Sequence, residues 1–153
     1  MRVRHNARAV LLDADDHLVF LRRGWPGLTP SYCTTVGGGV EAADADVEAA
    51  LRREVLEEIG GTLGPVTEVL TLTDATGPTA VVEHYYLGRL LDVDPRRRSG
   101  PELTDPDLGD FEPVRVALDP AAVDGLGLQP PELAGYVRDH LAEWANRRSD
   151  EGC

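Results

Sequence analysis

Three glutamates, Glu54, Glu57 and Glu58, stand at positions i, i+3 and i+4 behind the triple glycine Gly37-Gly38-Gly39. In a helix of 3.6 residues per turn that spacing puts all three carboxylates on one face. Like charges so placed repel by roughly 0.2–0.5 kcal/mol per pair even in water. Glu57 and Glu58 also fall in the last turn before Gly60-Gly61, where the helix dipole disfavours anions. Breaches of local consistency concentrate at functional sites. A hard divalent cation, which prefers carboxylate and carbonyl oxygen, turns the repulsion into binding. The pattern therefore points to a metal site.

The helix that must carry this face is legible. Asp44 and Asp46 are both suitable N-caps. Val47, Leu51, Val55 and Ile59 form an apolar spine at i+4 spacing, and Gly60-Gly61 supplies the stop. Upstream, Ala7–Leu12 and Leu18–Arg22 read as a hairpin around Asp13-Ala14-Asp15-Asp16. Gly24–Pro30 reads as a loop, and Tyr32–Val36 as a short strand feeding the glycine turn. Downstream, strands are predicted over Val66–Thr73, Val81–Leu91 and Phe111–Leu118, with Pro113 marking the last as an edge. Arg96-Arg97-Arg98 reads as a solvated turn. Pro130-Pro131 opens a final helix whose buried stripe is Leu133, Tyr136, Val137, Leu141 and Trp144.

One domain, residues 1–146, is the expectation from 153 residues, with 147–153 as a disordered polar tail. The apolar run Ala9–Leu12 is too short for a membrane span or a signal sequence, so a cytoplasmic protein is expected. A net charge of −12 argues against binding a nucleic acid polymer, which needs clustered cations. It does not exclude a small phosphorylated substrate whose charge a metal neutralises. Every basic residue is arginine, so arginine forks are the only strong phosphate clamps available. Cys33 and Cys153 have no metal-ligand spacing, and Cys33 reads as a small buried strand residue.

The segment Gly38–Gly61 resembles the Nudix box, G-x5-E-x7-R-E-U-x-E-E-x-G-U, with U a bulky aliphatic residue. Arg53-Glu54, Val55, Glu57-Glu58 and Gly60 match its second half. Counted from Gly38, Asp44 replaces the first glutamate, one extra residue precedes the helix, and Gly61 replaces the final aliphatic residue. The resemblance implies a Nudix-type α/β/α sandwich, with a mixed β-sheet between the box helix and the C-terminal helix. It also implies metal-dependent cleavage of a diphosphate linkage in a nucleoside diphosphate derivative or nucleoside triphosphate. The alternative is a catalytically weak nucleotide-binding or sensor module.

On the same resemblance, Glu54, Glu57 and Glu58, with the Gly37 carbonyl, would hold Mg²⁺ or Mn²⁺, and Arg53 would orient Glu57. Glu102, in the loop Gly100–Leu103, is the first candidate for the general base, and Glu58 the second. Arg22, Arg23 and Arg89 are candidate phosphate contacts by position. Tyr32, Trp25 and Tyr86 are candidate base-stacking groups. Glu83 and His84 alternate on one strand, so only one of them can face a site, and His84 reads as a satisfied strand histidine. A thiol-dependent isomerase of the same fold would have to use Cys33, whose surroundings do not resemble that family's motif. Homodimers are common among Nudix proteins, so a dimer is compatible with the resemblance.

Overall fold

The acidic segment forms helix α1, Val47–Ile59, and its two ends show why it starts and stops there. Asp46 is the N-cap: its backbone is extended and its side chain accepts the Ala49 N–H at 2.7 Å. Gly60 ends the helix at φ 69° and donates to the Leu56 carbonyl at 2.9 Å. Ala50, Leu51, Val55 and Ile59 are buried as the spine requires, and Val47 is half-buried.

The computed structural model describes residues 2–24, 31–99 and 110–151. Trp25 and Glu102 lie outside the described residues, as does most of each loop that carries them. The chain divides into two compact units, residues 1–11 with 35–100, and residues 12–34 with 101–153.

The first unit holds α1. Strand β1 (Arg2–Leu12) pairs antiparallel with β4 (Val36–Gly39), placing Arg8 opposite Gly37, Ala7 opposite Gly38 and Asn6 opposite Gly39. The expected glycine turn is thus a strand. Its pairing with β1 is a contact between segments far apart in sequence, which local glycine content does not report. Strands β5 (Gly61–Asp74) and β6 (Thr79–Val93) form a long antiparallel ribbon whose register slips at three places. β5 begins directly after the helix, well before Val66. Helix α1 packs on β4 and β5, and Arg52 pins it by donating to the Leu63 and Gly64 carbonyls at 2.9 and 3.0 Å.

In the second unit, β2 (Leu18–Gly24) pairs antiparallel with β3 (Tyr32–Thr34) and with β7 (Asp110–Val116). Pro113 sits on β7 opposite Leu21. Among the described strands β7 pairs only with β2, so a residue lacking an N–H is tolerated there. A short helix α2 (Pro120–Asp124), which periodicity does not announce, packs on α3 (Pro131–Glu151). Leu133, Val137, Leu141 and Trp144 are buried and Tyr136 is half-buried, stacked on His140. Among the described residues no helix is long and apolar enough to cross a membrane. The α/β class expected from the sequence is the class observed.

Gly60 provides a test of how α1 is terminated. A Cβ there would lie 1.9 Å from the Asp94 carbonyl oxygen, and the left-handed backbone alone costs an L-residue about 1–2 kcal/mol. Gly60→Ala is expected to lower unfolding free energy by at least that amount, measured as a shift of the urea midpoint with the slope unchanged.

Candidate functional site

The acidic face is built around a cation from its own helix. Arg53, half-buried, donates from Nε and Nη2 to the two Asp44 carboxylate oxygens at 3.0 and 2.9 Å. Its Nη2 also reaches the Gly39 carbonyl at 3.0 Å. Its Nη1 donates to Glu54 at 3.0 Å and to Glu57 at 3.2 Å, with Glu41 at 3.7 Å. The planar five-donor fork makes this possible; an ammonium, with three donors on one atom, could not reach all of these partners. Hydrogen bonding from Arg53, helped by the Glu41 N–H, holds the Asp44 carboxyl down at about 2. Proximity to the surrounding carboxylates, Asp44 foremost, raises the Arg53 pKa.

Glu58 is the buried member of the trio, only 8% exposed, and accepts the Gly37 N–H at 3.3 Å. Gly37 has φ 154°, and a Cβ on it would fall 2.1 Å from the Ala7 carbonyl oxygen, so only glycine fits this approach of β4 to β1. The Glu54 carboxylate lies over Gly38, at 2.5 Å from where a Cβ would be. Burial, and then the neighbouring Glu54 charge, push the Glu57 carboxyl up from its ordinary value. Four carboxylates thus share one guanidinium, with Glu58 buried alongside.

This arrangement sorts the sequence-predicted residues. Glu54, Glu57, Arg53 and Asp44 converge, and Gly37 meets Glu58. No three of the carboxylates are gathered tightly enough to ligate one ion as they stand among the described residues. Asp44 does not cap the helix; it locks Arg53. Counted from Gly39 instead of Gly38, the family spacing closes without an extra residue and puts Ala45 at the glutamate position. In either register Asp44 is the acid that reaches Arg53.

Arg89 is half-buried on β6 of the same unit. Arg22 and Tyr32 belong to the other unit, on the adjacent strands β2 and β3. Beside them, Arg23 stacks its guanidinium 4.2 Å from the Phe111 ring centre. Cys33 is fully buried, and burial raises its thiol pKa. Glu83 binds Asn6 and Arg8 at 3.0 and 2.9 Å, whereas His84 sits between His5 and Glu68 at 2.9 and 3.2 Å. Tyr86 also bonds Glu68. Sequence reasoning missed Arg98, whose Nε donates to the Glu58 carbonyl at 2.6 Å. The basic triplet was the only signal, and nothing in it separates Arg98 from its neighbours.

A strand of glycines lies against the helix that carries the acid face, and comparison with known proteins names the family. The NUDIX domain model matches residues 3–131, so the chain belongs to the Nudix hydrolase family and is an enzyme of that type. No curated protein sequence matches it. Among solved structures, a NUDIX hydrolase from Nitrosomonas europaea is 21% identical with a TM-score of 0.66, over 93% of this chain and 90% of that one. An ADP compounds hydrolase is 21% identical at a TM-score of 0.66, over 95% and 74%. A MutT protein from Methanosarcina mazei Go1 is 19% identical at 0.58, over 96% of each. These likenesses establish a shared fold.

The Asp44–Arg53 pair carries a pH signature. A carboxyl depressed to about 2 from 3.8 stabilises the folded state fully above the ordinary value, and that contribution is lost as pH falls through about 2. Asp44→Asn is therefore expected to lower the urea midpoint at pH 7. The gap from the unmodified protein should close progressively between about pH 4 and pH 2, read by parallel denaturation series.

Proposed function

We propose that this protein is a divalent-metal-dependent hydrolase cleaving a diphosphate linkage in a nucleoside diphosphate derivative or nucleoside triphosphate. The observation that carries the reading is the excess of carboxylate over cation on one face of α1, with Glu57 already pushed toward protonation by burial and by Glu54. Hard oxygen donors on a fixed helix suit Mg²⁺ or Mn²⁺, so the residues fit such an ion. Glu54, Glu57 and Glu58, with the Gly37 carbonyl, would hold it. When bound, the ion polarises the phosphates and acidifies a water.

The rest falls to the chain's own groups. Arg53 fixes the directions of Glu54 and Glu57, so the carboxylates are oriented before substrate arrives. Glu102, or Glu58 through a carboxylate oxygen, takes the proton of the attacking water as its oxygen bonds to phosphorus. The bridging P–O bond then breaks and the electron pair leaves with the departing phosphate. Arg22 and Arg89 would contact phosphate, and Tyr32 the base. The ADP compounds hydrolase among the structural neighbours favours a small nucleotide over a polymer as substrate. The same reading takes the chain as a single domain acting in the cytoplasm with no membrane partner, and it is compatible with a homodimer.

Turnover of a panel of nucleoside di- and triphosphates and nucleotide sugars with Mg²⁺ tests the activity. Glu57→Gln and Glu58→Gln are each expected to reduce kcat by about 10²-fold or more while remaining folded. Full activity in both would remove the assigned site. Tight nucleotide binding in a thermal-shift screen, without turnover at any metal concentration, would favour a sensor instead.

A further inference from the structure

The C-terminal end of α1 needs partners that the helix itself does not supply. Its last turn contains two glutamates and no basic residue, and the final carbonyls of any helix lack intrahelical donors. One short segment after β6, Asp94–Ser99, meets these needs. The Asp94 N–H donates to the Gly60 carbonyl at 3.0 Å, and the Ser99 N–H to the Glu57 carbonyl at 2.9 Å. Arg98 Nε donates to the Glu58 carbonyl at 2.6 Å. The segment is shaped for this by a 3-10 turn at Pro95–Arg97, capped by Asp94.

The three arginines of the turn differ sharply. Arg96 pairs with Asp94 and its side chain is 90% exposed. Arg97 pairs with Asp92 at 2.8 Å and is partly exposed. Arg98 alone turns inward onto the main chain of a candidate metal ligand, and its Nη2 is buried with no hydrogen-bond partner among the described residues. A guanidinium at a helix C-terminus offsets the dipole that opposes Glu57 and Glu58.

We propose that Arg98 is a positioning residue for the cation-binding carboxylates, acting through the Glu58 main chain to set where the Glu57 and Glu58 side chains start. The proposal rests on the metal-dependent reading above. It predicts a defect in metal affinity and turnover that substitutions at the adjacent arginines do not share.

The test compares Arg98→Met, Arg98→Gln, Arg98→Lys and the control Arg97→Met in the full chain. Mn²⁺ affinity is measured from the electron paramagnetic resonance signal of free ion, beside kcat and KM on the nucleotide panel and thermal midpoints. Loss of a group that orients a ligand typically weakens metal binding by about 10–100-fold, and that range is expected for Arg98→Met and Arg98→Gln. The nucleotide KM should stay within about twofold while kcat falls. Arg98→Lys should recover most of the affinity, since an ammonium can still donate to a carbonyl, and Arg97→Met should match the unmodified protein. Unchanged Mn²⁺ affinity in folded Arg98→Gln or Arg98→Met overturns the proposal, as does an equal loss in Arg97→Met. A loss seen only in variants already unfolded at the assay temperature overturns it too, by reducing Arg98 to a stability role. If the unmodified protein binds Mn²⁺ but hydrolyses nothing in the panel, the enzyme reading fails alone and the affinities still judge Arg98. If it binds no Mn²⁺, both fail.

Discussion

Arg53 holds four carboxylates belonging to two stretches of chain: Glu41 and Asp44 before α1, and Glu54 and Glu57 on it. Its Nη2 hydrogen-bonds the Gly39 carbonyl at the end of β4 as well. Without that fork Glu41 and Asp44 would lose their ion pairs to the helix, and Glu54 and Glu57 would repel each other with no cation between them. The geometry also explains why arginine is needed. Two parallel donors serve Asp44, a third side of the same plane serves the glutamates, and the group cannot lose its proton to escape. A lysine would neutralise the same charge but could not fix these directions.

Around that anchor, α1 is fastened by groups whose function is placement. Arg52 bonds two β5 carbonyls on one flank, Glu58 meets β4 through the Gly37 N–H, and the Asp94–Ser99 segment closes the C-terminal end. The buried spine Leu51, Val55 and Ile59 supplies the non-directional part of the attachment. Sites set on regular elements hold their groups more precisely than sites on loops. Here the loop parts, Asp44 and Arg98, serve to steady the helix that bears the acids.

Periodicity and caps carry much of this in the sequence. The α1 spine, its Gly60 stop, the stripe of α3 and the edge placement of Pro113 follow from local pattern alone. What local pattern cannot carry is pairing between distant segments. Gly37–Gly39 looks like a turn because glycine is flexible, yet it is a strand because β1 lies beside it. Asp44 and Asp46 are equally good caps on paper; only the position of the Arg53 fork decides that Asp46 caps and Asp44 pairs. Arg22 is a phosphate candidate by its place at a strand end and Tyr32 a base-stacking candidate by its ring, and local pattern does not show that both fall in the unit that lacks α1. Arg98 was hidden among identical neighbours, since direction, not residue type, separates a capping arginine from a solvated one.

The breaches of local rule on α1 are therefore not equivalent. The mutual repulsion of Glu54 and Glu57 is partly relieved by Arg53, and the dipole's opposition to Glu57 and Glu58 by Arg98. Each of those cations sits where it also sets geometry, so neither is a simple neutraliser. What they leave is a surplus of charge: four carboxylates around the single guanidinium of Arg53, and a Glu57 carboxyl driven upward by burial and by Glu54. A protein selected only for stability would remove this surplus with one substitution to glutamine. That surplus, on groups whose orientation is so fully specified, is the physical argument for the divalent ion proposed above. An exposed acidic face needs no such framework of arginines.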